Sequence, residues 1–282
     1  MTRVEVNGLH LNVEIAGDGF PLLALHGFTG SATTWQPFAA SWAQYRIIAV
    51  DLIGHGASDA PADESRYTMA SCTADLVALL DALDVERAAL LGYSMGGRVA
   101  LQFALAAPGR IEALVLESAS PGIDDAGDRT TRVAADRALA DSIERDGIEA
   151  FVDRWEALPM WATQAALPEP VRQRLRAQRL RNSTAGLANS LRGMGAGAQE
   201  PVLDRLGELR MPVLLIAGEH DAKYRQLAYD MRERIRDARI NIVEGAGHAV
   251  HLEQPAAFVP LVKEFLTTCL QQHQQPASSV RP

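Results

Sequence analysis

The apolar run Ala89-Leu90-Leu91 leads straight into Gly92-Tyr93-Ser94-Met95-Gly96-Gly97, and Arg98-Val99-Ala100-Leu101 then begins a helical period. This spacing predicts a buried strand, a very tight turn and a helix. Glycines on both sides of the serine let strand and helix close on each other, which pushes the serine hydroxyl out above the sheet. Gly-x-Ser-x-Gly alone is a weak signal because its residues are common. The strand before it and the helix after it make it a strong constraint, and they commit this part of the chain to alternating strands and helices.

A serine in such a turn becomes reactive only with a base and an acid beside it. Met211-Pro212-Val213-Leu214-Leu215-Ile216-Ala217-Gly218 reads as a later strand, with Glu219-His220-Asp221 on the loop that follows. Ile240-Asn241-Ile242-Val243 reads as another, followed by Glu244-Gly245-Ala246-Gly247-His248. Ser94, Asp221 and His248 therefore each fall just past the carboxyl end of a strand, where open α/β sheets build their sites. In this reading His248 takes the Ser94 proton, and Asp221 fixes the imidazole tautomer and stabilises its charged form. Glu117, at the end of Ala113-Leu114-Val115-Leu116, is the rival for the acid. His220 reads as a surface residue. His251 either lines the same pocket or lies on a solvated loop.

The order serine, acid, histidine is that of the α/β-hydrolase fold, and the expected architecture follows: a mostly parallel central sheet, helices on both faces and an inserted helical lid. Leu22-Leu23-Ala24-Leu25 is an early strand, and His26-Gly27-Phe28-Thr29-Gly30 follows it. A serine acting at a carbonyl needs two backbone N–H groups aimed at the developing oxyanion; Met95 and Phe28 are the candidates. His26, and His55 and Ser58 in Asp51-Leu52-Ile53-Gly54-His55-Gly56-Ala57-Ser58, read as loop structure.

The alternation of strands and helices stops between residues 120 and 205, where only helical stretches appear. The expected division is a core over 1–119, a lid over 120–205, core again over 206–270 and a disordered tail over 271–282. Val4 to Ile15 alternates around Asn7-Gly8, the signature of an edge hairpin. At 282 residues and 48% hydrophobic content the chain can fill one large core. A net charge of −8 argues against nucleic acid or an anionic membrane as partner. No apolar run approaches the length of about 18 residues that spans a bilayer, so a soluble, cytoplasmic protein is expected. Cys72 and Cys269 form no metal or redox motif, and no metal or cofactor is expected. The sequence carries no signal for an oligomeric state.

Two basic features point to the substrate. Arg98 lies one helical turn after Ser94 and can reach the same mouth. Between Pro170 and Met194 stand Arg172, Arg174, Arg176, Arg179, Arg181 and Arg192, with no Asp or Glu among them. An uncompensated basic stretch above such a site suggests a small-molecule carboxylate as substrate, because arginine grips carboxylates through two parallel hydrogen bonds. A solvated helix face is the alternative.

Gly92-Tyr93-Ser94-Met95-Gly96-Gly97-Arg98, Leu25-His26-Gly27-Phe28-Thr29-Gly30, Gly218-Glu219-His220-Asp221-Ala222-Lys223-Tyr224, Leu191-Arg192-Gly193-Met194-Gly195 and Gly247 to Pro255 together resemble the 2-succinyl-6-hydroxy-2,4-cyclohexadiene-1-carboxylate (SHCHC) synthases of menaquinone biosynthesis, from Leu9 to about Leu270. The resemblance implies a carbon–oxygen lyase that expels pyruvate from an enolpyruvyl cyclohexene carboxylate bearing three carboxylates, with the serine acting as base and the oxyanion hole holding an enolate. It implies substrate contacts at Tyr93 and Arg98 and, in the lid, at Arg132, Trp155 and Arg179, with Arg129 and Arg181 as rivals. Glu117-Ser118-Ala119-Ser120-Pro121-Gly122 lacks the Gly-Gly pair of some members. The competing class is a serine hydrolase of the same fold, an esterase or C–C bond hydrolase, which needs the same triad. Haloalkane dehalogenases and epoxide hydrolases carry Asp where this chain has Ser94, and a receptor that merely kept the fold has no need of all three groups.

Overall fold

The computed structural model describes residues 2–274. Its strands are β1 (Thr2–Val6), β2 (Leu9–Ala16), β3 (Phe20–Leu25), β4 (Tyr45–Val50), β5 (Ala88–Tyr93), β6 (Ile111–Glu117), β7 (Val213–Gly218) and β8 (Ala238–Val243). Its α-helices are α1 (Met69–Ala82), α2 (Met95–Ala106), α3 (Ala126–Glu156), α4 (Glu169–Leu180), α5 (Thr184–Met194), α6 (Ala222–Arg234), α7 (Val250–Glu253) and α8 (Pro255–Gln274).

The strands form one sheet in the order β1-β2-β4-β3-β5-β6-β7-β8. The β1–β2 hairpin is antiparallel, β2 joins β4 antiparallel, and every pair from β4 to β8 is parallel. Alternate residues of a strand face opposite sides of the sheet, so a parallel sheet covered on both faces needs apolar residues at every position. β7 shows this: Val213, Leu215 and Ala217 enter one core cluster, and Leu214 and Ile216 enter the other. The first cluster packs under α1 and α2. The second packs Trp35, Phe38 and Trp42 against Phe258 and Phe265 of α8.

The chain leaves β3 for β4 on one side and leaves β5 for β6 on the other, although β3 and β5 are neighbours, with Leu25 opposite Gly92. Where the winding direction reverses, the loops at the carboxyl ends of the strands part and leave a crevice. Phe28 follows β3 and Ser94 follows β5, so both stand at that crevice.

Between β6 and β7 the chain forms a cap of three helices, α3, α4 and α5, with a 3₁₀ stretch over Pro159–Ala166. Gly147 breaks α3 with φ 82° and ψ 172°, a conformation open to glycine, and the helix resumes in a new direction toward Trp155. Ile143, Phe151, Val152, Leu187 and Leu191 give the cap its own small core. One expectation needs correction at the end of the chain. Helix α8 continues to Gln274, so the first residues of the expected tail, Gln271 to Gln274, are helical. Residues 275–282 lie outside the described residues. Among the described residues no helix is long and apolar enough to cross a membrane.

Candidate active site

Ser94 sits in the turn between β5 and α2 at φ 52° and ψ −109°. A residue with a Cβ holds such a conformation at a cost on the order of 1–3 kcal/mol, and only where its surroundings force it. Here the force is close backbone contact. A Cβ on Gly92 would lie 2.4 Å from the Gly96 carbonyl oxygen, and one on Gly96 would lie 2.5 Å from those of Leu25 and His26. The Ser94 N–H donates to the Glu117 carbonyl at 2.8 Å, and the Arg98 N–H donates back to the Ser94 carbonyl at 3.0 Å.

His248 Nε2 stands 2.9 Å from Ser94 Oγ, and His248 Nδ1 stands 2.6 Å from Asp221 Oδ2. Asp221 can only accept, so Nδ1 carries the proton and Nε2 is left to accept from the serine hydroxyl. Asp221 is also the N-cap of α6, its Oδ1 accepting from the Tyr224 N–H at 3.3 Å. The His248 loop is clamped from below by Glu253, whose carboxylate accepts from the N–H groups of Gly247 and Ala249. Aromatic rings wall the imidazole, with centroids at 4.5 Å (Tyr224), 5.5 Å (Trp161) and 5.6 Å (Tyr93).

Glu117, the rival acid, makes no bond to His248. Its buried carboxylate accepts from the His251 N–H at 3.0 Å and from His251 Nδ1 at 2.8 Å. His251 is therefore neither a solvated loop residue nor part of the cavity wall; it is buried beneath Tyr93, with ring centroids 4.6 Å apart. His26 ties two loops, Nδ1–H donating to Gly27 O at 2.8 Å and Nε2 accepting from the Leu52 N–H at 3.0 Å. His55 donates from Nδ1 to Ile53 O at 3.0 Å, and burial pushes its pKa down to about 3. Ser58 Oγ donates to Asp51 O at 2.6 Å and accepts from the Asn12 N–H at 2.8 Å. His220 is exposed.

A cavity of about 340 Å³ opens over Ser94, lined by Phe28, Met95, Tyr93 and Trp155 among others, with Arg98, Arg132 and Lys223 as its cations. Among the described residues no backbone hydrogen bond takes up the N–H of Phe28 or of Met95, and both residues border this space. Arg98 donates from Nη1 to Met194 O at 2.7 Å and to Gln199 Oε1 at 3.1 Å. Among the described residues it has no carboxylate partner. Burial lowers its pKa to about 10, with the Arg132 charge adding to the fall while Tyr224 and Asp136 oppose it. A guanidinium still stays protonated at neutral pH, so the cavity holds a poorly solvated cation suited to an anion. Arg132 is held by Asp136 at 2.8 Å.

Two sequence expectations about the cap arginines need correction. Arg179 does not line this cavity; it lies behind Trp161, bonded to Glu156 Oε1 at 2.9 Å and to Gln164 Oε1 at 3.3 Å. Nor is the basic stretch uncompensated. Arg172 pairs with Glu169, Arg176 with Asp153 and Glu156, and Arg192 with Asp141 and Glu144. The acids come mostly from α3, which packs alongside but lies far back in the chain. Of the rivals, Arg181 borders a separate groove with Glu14, and Arg129 is absent from the catalytic cavity's lining. Sequence reasoning missed Tyr224, Lys223 and Trp161 as lining residues. Tyr224 was within reach: it occupies the first turn of a helix capped by the acid itself. Trp161 lies in an irregular 3₁₀ stretch that leaves no periodic signal.

A tight elbow, an activated serine and two unengaged N–H groups at a sheet reversal are the apparatus of an α/β-hydrolase-fold enzyme. The chain belongs to the alpha/beta hydrolase fold family, whose sequence profile matches residues 21–255. Within that fold it is 46% identical over 247 residues to a Bacillus subtilis (strain 168) protein provisionally named a 2-succinyl-6-hydroxy-2,4-cyclohexadiene-1-carboxylate synthase, covering 88% of this chain and 90% of that one. It is 32% identical to the 2-succinyl-6-hydroxy-2,4-cyclohexadiene-1-carboxylate synthase of Klebsiella pneumoniae (strain 342), over 91% of this chain and 98% of that one. The solved structure of MenH from S. aureus superimposes with a TM-score of 0.88 at 34% identity, covering 93% of this chain and 99% of that one.

Proposed function

We propose that this protein is a carbon–oxygen lyase, an SHCHC synthase that acts in the cytoplasm on a small carboxylate-bearing cyclohexene and releases pyruvate. The observation that carries the reading is the unbroken chain Asp221–His248–Ser94 opening into a cavity that contains Arg98, Arg132 and Lys223. The relatives named above support the particular reaction. Residues 120–205 serve as the lid of the site.

In this reading Ser94 acts as base. His248 Nε2 takes the serine hydroxyl proton while Ser94 Oγ takes the proton α to the succinyl ketone of the substrate. The electron pair of that C–H bond moves into an enolate, whose oxygen is met by the N–H groups of Phe28 and Met95. The pair then returns through the ring and breaks the C–O bond to the enolpyruvyl group. Pyruvate leaves as its enolate and takes the proton held on His248, which returns the imidazole to its neutral form beside a serine already reprotonated by the substrate. Asp221 holds the imidazole in the required tautomer and offsets its charge during the cycle. Tyr93, Arg98, Arg132 and Trp155 contact the substrate, with the arginines binding carboxylates.

The test is incubation with the enolpyruvyl cyclohexene substrate, following pyruvate with a coupled dehydrogenase and the conjugated diene by its absorbance. Stoichiometric appearance of both is the expected result. Brisk hydrolysis of esters with no pyruvate release would return the protein to the serine hydrolases.

A further inference from the structure

Glu117 touches both halves of the catalytic apparatus. Its main-chain carbonyl accepts from the Ser94 N–H at 2.8 Å, directly behind the reactive hydroxyl. Its side chain accepts twice from His251, at the backbone N–H (3.0 Å) and at Nδ1 (2.8 Å). His251 stands in the short helix α7, three residues after His248, so the same glutamate grips the nucleophile turn with one group and the histidine loop with another. The pair is deeply buried: Glu117 is 0% and His251 1% exposed. Around the imidazole stand Trp35 at 5.2 Å, Phe258 at 6.0 Å and Phe38 at 6.2 Å, with Tyr93 edge-on at 4.6 Å. His251 Nε2 has no hydrogen-bond partner among the described residues.

A carboxylate and an imidazole enclosed by aromatic rings are expensive to keep, because an apolar pair of similar volume would fill the space without desolvating polar groups. Their retention at this point in the fold calls for a return other than stability. The Ser94–His248 hydrogen bond spans two elements, a strand end and a separate loop; Tyr93 packs its ring between them, and among the described residues Glu117 alone hydrogen-bonds to both. Errors of about 1 Å in such a bond cost on the order of 10²-fold in rate.

We propose that Glu117 and His251 form a positioning pair that sets the Ser94–His248 distance, so that serine activation depends on their hydrogen bond and not merely on the volume they fill. The proposal concerns the activated serine and stands apart from the substrate assignment; only the pyruvate readout rests on that assignment.

The experiment uses the full chain and two readouts. One is the rate at which a fluorophosphonate labels Ser94, which needs an activated serine but no knowledge of the substrate. The other is kcat and KM for pyruvate release. In the double variant Glu117→Leu/His251→Leu the polar pair is replaced by apolar volume. The expected result is a Tm within a few degrees of wild type, with labelling and kcat at least tenfold lower and KM within about twofold. Labelling within twofold of wild type in that folded double variant would overturn the proposal, because packing alone would then suffice. His251→Asn places an amide donor where Nδ1 stands and is the rescue test in a separately folded protein. Recovery of labelling to within about threefold of wild type, against a tenfold or greater loss in His251→Leu, supports the proposal; equal losses in the two overturn it. A wild type that labels rapidly yet releases no pyruvate would overturn the lyase assignment and leave this test intact.

Discussion

Arg98 Nη1 donates to the Met194 carbonyl at 2.7 Å, so the helix that begins at the reactive serine holds the last turn of the cap. The same guanidinium borders the catalytic cavity, and the two roles can be separated. If Arg98 binds a substrate carboxylate, Arg98→Ala should lower kcat/KM for the tricarboxylate substrate by about 30- to 1000-fold, the worth of a charged, desolvated hydrogen bond. Hydrolysis of a neutral aryl acetate should change by no more than about threefold. Arg98→Lys should recover part of the loss, since an ammonium cannot form the planar fork. A parallel fall on both substrates would mean that the tie to Met194 is what matters.

Ser94→Ala should remove at least about 10³-fold of the rate while leaving Tm nearly unchanged. Alanine fits the space that serine occupies and carries the same backbone cost at φ 52°. Circular dichroism, thermal melting and the pyruvate assay on one preparation would decide it. A variant that keeps a tenth of the activity would remove Ser94 from the chemistry.

Asp221→Asn and Glu117→Gln should differ sharply. The amide introduced by Asp221→Asn favours the wrong His248 tautomer, at a cost of about 10³- to 10⁴-fold in kcat on the serine-protease precedent. The amide introduced by Glu117→Gln keeps an acceptor oxygen for the His251 donors, and the loss there should stay within about tenfold. The comparison needs only kcat for the two variants; an equal loss would mean that Asp221 does no more for His248 than the Glu117–His251 bond does from behind.

Acid stability should depend on His55. Burial holds its folded pKa at about 3, and the neighbouring His26 pushes the same way, against an unfolded value near 6.5. The unfolded chain therefore binds a proton that the folded one refuses as pH falls from 6.5 toward 3. The stability in question is fully present above pH 6.5 and is lost below it at about 1.4 kcal/mol per pH unit. Urea unfolding at pH 6.5 and 5.0 should show about 2 kcal/mol less acid loss in His55→Gln than in wild type. Identical losses would mean that His55 is not the group titrating on unfolding.

The sheet could be read from the chain because its strands are short apolar runs ended by glycine or a polar turn, and each motif follows such a run directly. That Ser94, Asp221 and His248 would approach one another was legible for this reason: parallel strands all end on the same side of the sheet, so loops after β5, β7 and β8 can meet there although β6 lies between β5 and β7. The surroundings were less legible because they depend on partners distant in sequence. Arg192 looks uncompensated until α3 brings Asp141 and Glu144 against it. His251 looks as exposed as any loop histidine until Glu117, from a strand across the core, meets it. Arg179 is expected over the serine, but the Glu156 carboxylate draws it behind Trp161.

Helix α5 meets the core backbone to backbone at two glycines. A Cβ on Gly186 would stand 2.1 Å from the Gly54 carbonyl oxygen, and one on Gly193 would stand 2.6 Å from that of Tyr67. Asn182 adds a bond to Thr29 O at 2.9 Å and accepts from the Gly56 N–H at 3.0 Å, just before the helix begins. Backbone pressed on backbone has no rotamer to adjust, so this helix is part of the foundation although it is sewn into the cap. For anyone exchanging caps between related enzymes to graft a new specificity, the seam therefore runs ahead of Asn182. A transplant that stops there keeps the masonry, whereas one that carries α5 with it must match two glycine contacts in a foreign core.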